Sequence, residues 1–152
     1  MTIWARLHIT ALALWVGVML SLIGLAPVAF QTLPQAQAGD LMNRLFAPYH
    51  MVGYVCAGAA LVTAWLAAGF RGKLRNLLLI AALGATLYAG LVISPEARTL
   101  RAELRQAEAT NPVTRARFDT LHRRAVTLNG AILIVALTAL VWAVVSPPKH
   151  QK

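Results

Sequence analysis

The sequence predicts an all-α integral membrane protein. The expected fold is a four-helix bundle of antiparallel spans, with an interfacial amphipathic helix between the first two spans and a projecting helical hairpin between spans three and four. Two observations predict it. Charge is sparse, 12% of the 152 residues, against about 25% in a soluble domain. It is also missing in blocks: no Asp, Glu, Lys or Arg occurs from Leu7 to Gly39, Leu45 to Phe70, Asn76 to Pro95, or Ala125 to Pro148. Each block holds the roughly 20 residues that cross a hydrocarbon core. The chain therefore reads as one membrane domain over residues 1–152, with spans at about 3–30, 49–70, 73–95 and 124–146.

Span one carries a stripe of small residues, Ala13, Gly17 and Ser21, at four-residue spacing. Such a stripe lets a neighbouring helix approach closely. Trp4 suits the interface and Trp15 a deeper position, and Pro27 is expected to kink or end the helix. Ala36-Gln37-Ala38 before Gly39 imitates a signal cleavage site. The apolar run ahead of it exceeds a signal core of about 7–15 residues, so the span is expected to be retained.

Pro34 can open a helix. Ala38, Leu41, Leu45 and Phe46 then fall opposite Gln35, Gln37, Asp40, Asn43 and Arg44, which predicts an interfacial helix over about 34–46, stopped by Pro48. Span two has its own small residues, Gly53 with Ala57 and then Ala60, Ala64 and Ala68. A tight basic turn at Gly69, Arg71, Gly72 and Lys73 leads into span three.

Beyond Pro95 the periodicity stays helical but the residues turn polar. Ala97, Leu100, Leu104 and Ala107 recur among Arg and Glu. Asn111-Pro112 has the form of an N-cap and first helical position, and Arg115, Asp119 and Arg123 are spaced for i,i+4 pairs. Residues 96–123 thus predict an extramembrane hairpin that projects roughly 20 Å. Pro147-Pro148 ends span four.

The net charge of +9 resides at span ends and in the hairpin, without interleaved aromatics. Headgroup contact explains it better than nucleic acid. The expected partners are membrane lipids and other membrane-protein subunits, with no nucleic acid. The three-base turn and the acid-free tails favour cytoplasmic termini in a bacterial inner membrane. Cys56, the sole cysteine, can form neither an intrachain disulfide nor a CxxC site.

Polar residues inside or at the mouth of a span are costly and lean functional. His122 and Asn129 are two turns apart and share a face with Phe118, Ala125 and Leu133. His50, beside Tyr49, stands at the mouth of span two on the same side of the membrane. Two histidines on neighbouring helices can ligate a haem iron or serve a tetrapyrrole axially. His122 and His50 are therefore the candidate axial ligands, with Asn129 and Tyr49 as neighbours. The alternative reading makes the histidines ordinary interfacial residues and Asn129 an interhelical hydrogen bonder, with Thr86 and Tyr88 as candidate partners. His8 lies at the opposite face, apart from that group, and His150 in the tail has no role. No acid or base lies mid-span, which argues against a proton relay or ion pump. No phosphate loop, zinc spacing or Ser/His/Asp constellation is visible, so no catalytic residue and no resident metal are assigned.

Ala26-Pro27-x-x-Phe30-x-x-Leu33-Pro34-x-Ala36-x-Ala38-Gly39, Leu45-Phe46-x-x-Tyr49 and Phe118-x-x-Leu121-His122-Arg123-x-Ala125-Val126-x-x-Asn129 resemble the bacterial "domain of unknown function 4149" family, related to vertebrate transmembrane protein 205. The resemblance runs from His8 through span four. It implies a four-helix membrane protein and no established activity. The vertebrate members' link to platinum-drug resistance implies metal or drug handling without naming residues. A remoter likeness in shape reaches copper-resistance D proteins and haem-binding protoporphyrinogen oxidases; this chain lacks the mid-span basic partner of such an oxidase site. The leading expectation is a non-enzymatic accessory or structural subunit of a larger membrane complex. The alternatives are a tetrapyrrole-binding membrane protein and a metal or small-molecule efflux protein.

Overall fold

The computed structural model describes residues 2–68, 73–106 and 111–145. Five α-helices occupy them: α1 (Ile3–Thr32), α2 (Gln35–Ala68), α3 (Lys73–Tyr88), α4 (Ser94–Gln106) and α5 (Pro112–Val145). A π-helical turn, Ala89–Ile93, joins α3 to α4. Four stretches are long and apolar enough to cross a membrane: Ile3–Thr32, Gln35–Ala67, Lys73–Gln106 and Pro112–Val145. At most 39% of the most apolar window of any of them is buried. Most of that surface faces outward, as in a protein whose solvent is lipid. The chain has the architecture of a multi-pass membrane protein.

Each helix end has a local cause. Thr2 caps α1, its hydroxyl accepting from the Ala5 amide at 3.3 Å. Leu33 is extended (φ −114°, ψ 151°), and with Pro34 it makes a two-residue reversal into α2. Asn111 caps α5 as expected, its Oδ1 accepting from the Val113 amide at 3.0 Å and the Thr114 amide at 3.4 Å. Arg115 pairs with Asp119 at 3.4 Å. Arg123 turns instead to the Thr120 hydroxyl at 3.4 Å.

Pro112 opens α5 as expected, but Pro27 and Pro48 do not end their helices. α1 runs through Pro27 to Thr32. α2 runs through Pro48, so the segment expected as a separate interfacial helix is the first three turns of one continuous helix. Packing explains it: Ala38 and Met42 pack with Ala29 of α1, and this cluster holds the segment in line. Pro95 has a subtler effect. A proline lacks the amide and crowds the carbonyl four residues back. The chain widens into the π turn just ahead of it, where the Ser94 amide bonds to the Ala89 carbonyl five residues back.

The bundle closes as a ring: α1 packs on α2 and α5, and α3 packs on the same two. Its centre is Leu12, Trp15, Ala57, Ala60, Ala64, Leu79, Ile132 and Ala136. Ala57, Ala60 and Ala64 have no exposed surface, so the small-residue stripe of α2 is where α1 comes close. Ala13, Gly17 and Ser21 of α1, by contrast, face outward. The Ala68 side chain, the tight turn at 69–72, the turn of the expected hairpin at 107–110 and the tail from 146 lie outside the described residues. α4 and the start of α5 do lie side by side. Ile93, Leu100 and Leu121 share a cluster, and Arg117 reaches Glu96 at 2.7 Å.

Candidate functional site

A cavity of about 560 Å³ opens between the start of α2, the end of α1, the π turn with α4, and the first half of α5. That lies within the range of about 300–1,000 Å³ usual for small-molecule sites. His50, His122 and Asn129 all line it. Phe118, His122, Ala125 and Asn129 descend one face of α5 as its wall, the face expected from their spacing. Tyr49 does not line the cavity but supports it: its hydroxyl donates to Asn129 Oδ1 at 3.1 Å. Asn129 Nδ2 donates to its own helix, at the Ala125 carbonyl, 2.9 Å away. Asn129 thus bonds to Tyr49 and not to Thr86 or Tyr88. Thr86 satisfies itself on the Ala82 carbonyl at 2.7 Å, and Tyr88 points outward.

His50 is held by aromatic packing. Its ring lies nearly parallel to Phe46 (6.1 Å, 21°) and Tyr54 (6.1 Å, 17°), with Tyr49 edge-on at 5.1 Å. It is buried, and its Nδ1 has no hydrogen-bond partner among the described residues. Gly90, in the π turn, makes this possible. A Cβ there would collide with the Tyr54 hydroxyl and come within 2.9 Å of His50 Cγ. His122 is more open, stacked on Phe118 at 6.3 Å and 12°.

The other end of the cavity is basic. Arg98, Arg101 and Arg105 of α4 and Arg115 of α5 line it. Arg105 pairs with Asp40 of α2 and also reaches the Ala36 carbonyl at 3.2 Å. The Arg101 guanidinium lies directly against Gly39, where no side chain stands in its way. The spacing of these arginines was legible, but their convergence on a cavity depends on how α4 packs and was missed.

A second polar cluster lies elsewhere. His8 is buried, and its Nδ1–H donates to the Ala60 carbonyl at 2.9 Å, leaving Nε2 buried and unpartnered among the described residues. Arg75 donates to the Ala64 carbonyl, one turn along, at 2.9 Å. Ala60 is ten residues from His50, or roughly 15 Å of helix. The histidines therefore divide as expected, two at the cavity and one apart. Among the described residues, no group of three or more His, Cys, Asp or Glu side chains is placed to hold a metal ion.

The family model described as Domain of unknown function (DUF4149) matches residues 10–106. This chain belongs to that family. The match takes in Tyr49, His50 and the α4 arginines up to Arg105, and it stops short of His122 and Asn129 on α5. No curated protein and no solved structure matches the chain.

Proposed function

We propose that this chain is a non-enzymatic membrane protein that holds an amphipathic small molecule in the cavity between α2, α4 and α5. One observation supports the reading above others: a single space is apolar along Phe46, Ile93 and Leu121, carries His50, His122 and Asn129, and is basic at its other end. The histidines give a second candidate ligand, a tetrapyrrole, with His122 or His50 as axial ligand and Asn129 and Tyr49 as neighbours. We place the protein in a bacterial inner membrane with cytoplasmic termini.

The test is a visible spectrum of the gently purified protein, oxidised and then reduced, with mass spectrometry of what it retains. A Soret band that His122→Ala or His50→Ala abolishes supports the tetrapyrrole. A featureless spectrum with a bound lipid keeps the cavity reading and removes the tetrapyrrole. No retained small molecule at all removes both.

A second role is compatible with the first. Ala13, Gly17 and Ser21 form an outward-facing stripe on α1, and a Cβ at Gly17 would meet no atom within 4 Å. This supports work as an accessory subunit that docks a helix of a larger assembly. Gly17→Leu is expected to leave the chain folded and shift it from a large complex to a monomer on native electrophoresis. An unchanged complex counts against this role.

A further inference from the structure

We propose that the cavity selects its occupant by a phosphate headgroup held between Arg98 and Arg101, and that the occupant is an acidic membrane phospholipid. This rests on the ligand-holding reading and adds the chemistry of the head.

The argument begins with charge. Of the four arginines that line the basic end, Arg115 has Asp119 and Arg105 has Asp40. Arg98 and Arg101 form no ion pair among the described residues. They are three positions apart on α4 and therefore share a face. Among the described residues, the one hydrogen bond of Arg101 to a neighbouring helix is long, 3.5 Å to the Ala36 carbonyl. Arg98 is exposed and Arg101 half-buried, so both guanidiniums stand at the edge of the apolar space with donors open to an anionic group. Among the described residues no acid pairs with Arg98, and the Asp40 near Arg101 is already paired with Arg105, so an anionic ligand is the natural counter-charge.

The shape of the cavity argues for a lipid. Ala89 and Arg105 line its two ends on the same wall, and the helix between them runs roughly 24 Å, long enough to lie along an acyl chain. Phe46, Ala89, Ile93 and Leu121 along the way offer a tail nothing to hydrogen-bond. Guanidinium forks suit phosphate oxygens, which accept two parallel N–H bonds. Two unpaired guanidiniums match a phosphomonoester, which carries up to about two negative charges near neutral pH, better than a phosphodiester with one. A zwitterionic head would bring its own cation against them. The expected order is phosphatidic acid, then phosphatidylglycerol, then phosphatidylcholine.

Full-length protein in neutral detergent, doped with equal amounts of phosphatidic acid, phosphatidylglycerol, phosphatidylcholine and diacylglycerol of the same acyl chains, is read by native mass spectrometry. Phosphatidic acid is expected to exceed phosphatidylcholine by about tenfold, the weight of one charged hydrogen bond. Arg98→Gln with Arg101→Gln should bring it down to the phosphatidylcholine level while neutral lipid is still retained, with helix content checked by circular dichroism. Arg98→Lys with Arg101→Lys, which keeps the charge and loses the fork, should fall between. Arg124→Gln, at an exposed arginine outside the cavity, should keep the full preference. Equal retention of all four lipids by the native protein overturns the headgroup inference and leaves the cavity reading standing. An equal loss in Arg124→Gln overturns it as well, because the preference would then reflect general surface charge. No retained amphiphile overturns both. In a parallel arm, inorganic phosphate alone that binds these two arginines with no lipid retained overturns the membrane source.

Discussion

Gly90 and Gly39 both sit where another helix reaches across, and the two differ in what they face. At Gly90 a Cβ meets the Tyr54 hydroxyl and the His50 ring near its root. At Gly39 it meets only the end of the long Arg101 side chain. Gly90→Val is therefore expected to cost about 1–3 kcal/mol, as overpacking does, and to lower the melting temperature. Gly39→Ala should be nearly neutral for folding, since Arg101 can swing aside. A thermal unfolding series on both variants checks this, and equal losses would contradict it. The Tyr49–Asn129 bond is the long-range side-chain bond between spans two and four. A double-mutant cycle of Tyr49→Phe and Asn129→Leu should give a coupling of roughly 0.6 kcal/mol and no more than about 1.7, the range found for such bonds in lipid. A coupling of zero in steric-trap or denaturant unfolding would show that the bond contributes nothing.

The π turn of Ala89–Ile93 is the element on which the cavity depends. It takes up one residue more than an α-helix would and sets the faces of α3 and α4. Deleting Leu91, an exposed member of the turn, should let it relax to α-helix with both flanking faces preserved. Deleting Ile80, exposed but in the regular part of α3, turns one side of the deletion by about 100° against its neighbours. The Ile80 deletion should lose far more stability than the Leu91 deletion, measured by thermal unfolding. Similar losses would mean that the π turn is not a removable insertion. Leu91 deletion should also shift Gly90 away from Tyr54 and His50, so the purified variant is expected to retain less ligand than it retains stability.

The molecule as a whole turns most of its apolar surface outward, and several of its threonines bond back onto their own helices. Thr63, Thr86, Thr120 and Thr138 each bond a carbonyl four residues back in their own helix. Cys56 is buried in the bundle core. It should resist maleimide until the protein is unfolded. On a Cys56→Ser background, single cysteines at the exposed positions Thr2 and Glu103 are expected to label from opposite sides with an impermeant maleimide, Thr2 from the cytoplasm. Labelling of both from one side would remove the four-span arrangement, and the reverse sidedness would invert the orientation.

The sequence alone carries four stretches fit to cross a bilayer, because a charge-free stretch of sufficient length has one stable place beside it. It determined the Asn111 cap and the face shared by Phe118, His122, Ala125 and Asn129, because caps and helical faces depend only on nearby residues. Other features waited on tertiary structure. Whether the segment ahead of Pro48 stays in line with the rest of α2 depends on Ala38 and Met42 packing against Ala29 of α1. Which small-residue stripe is buried depends on which helices meet: the α2 stripe is buried and the α1 stripe is not. The partner of Asn129 lies eighty residues away, and bringing the α4 arginines to the cavity that His50 and His122 line needs the π turn to aim them. Those are contacts between residues distant in the chain, and periodicity within one helix carries no information about them.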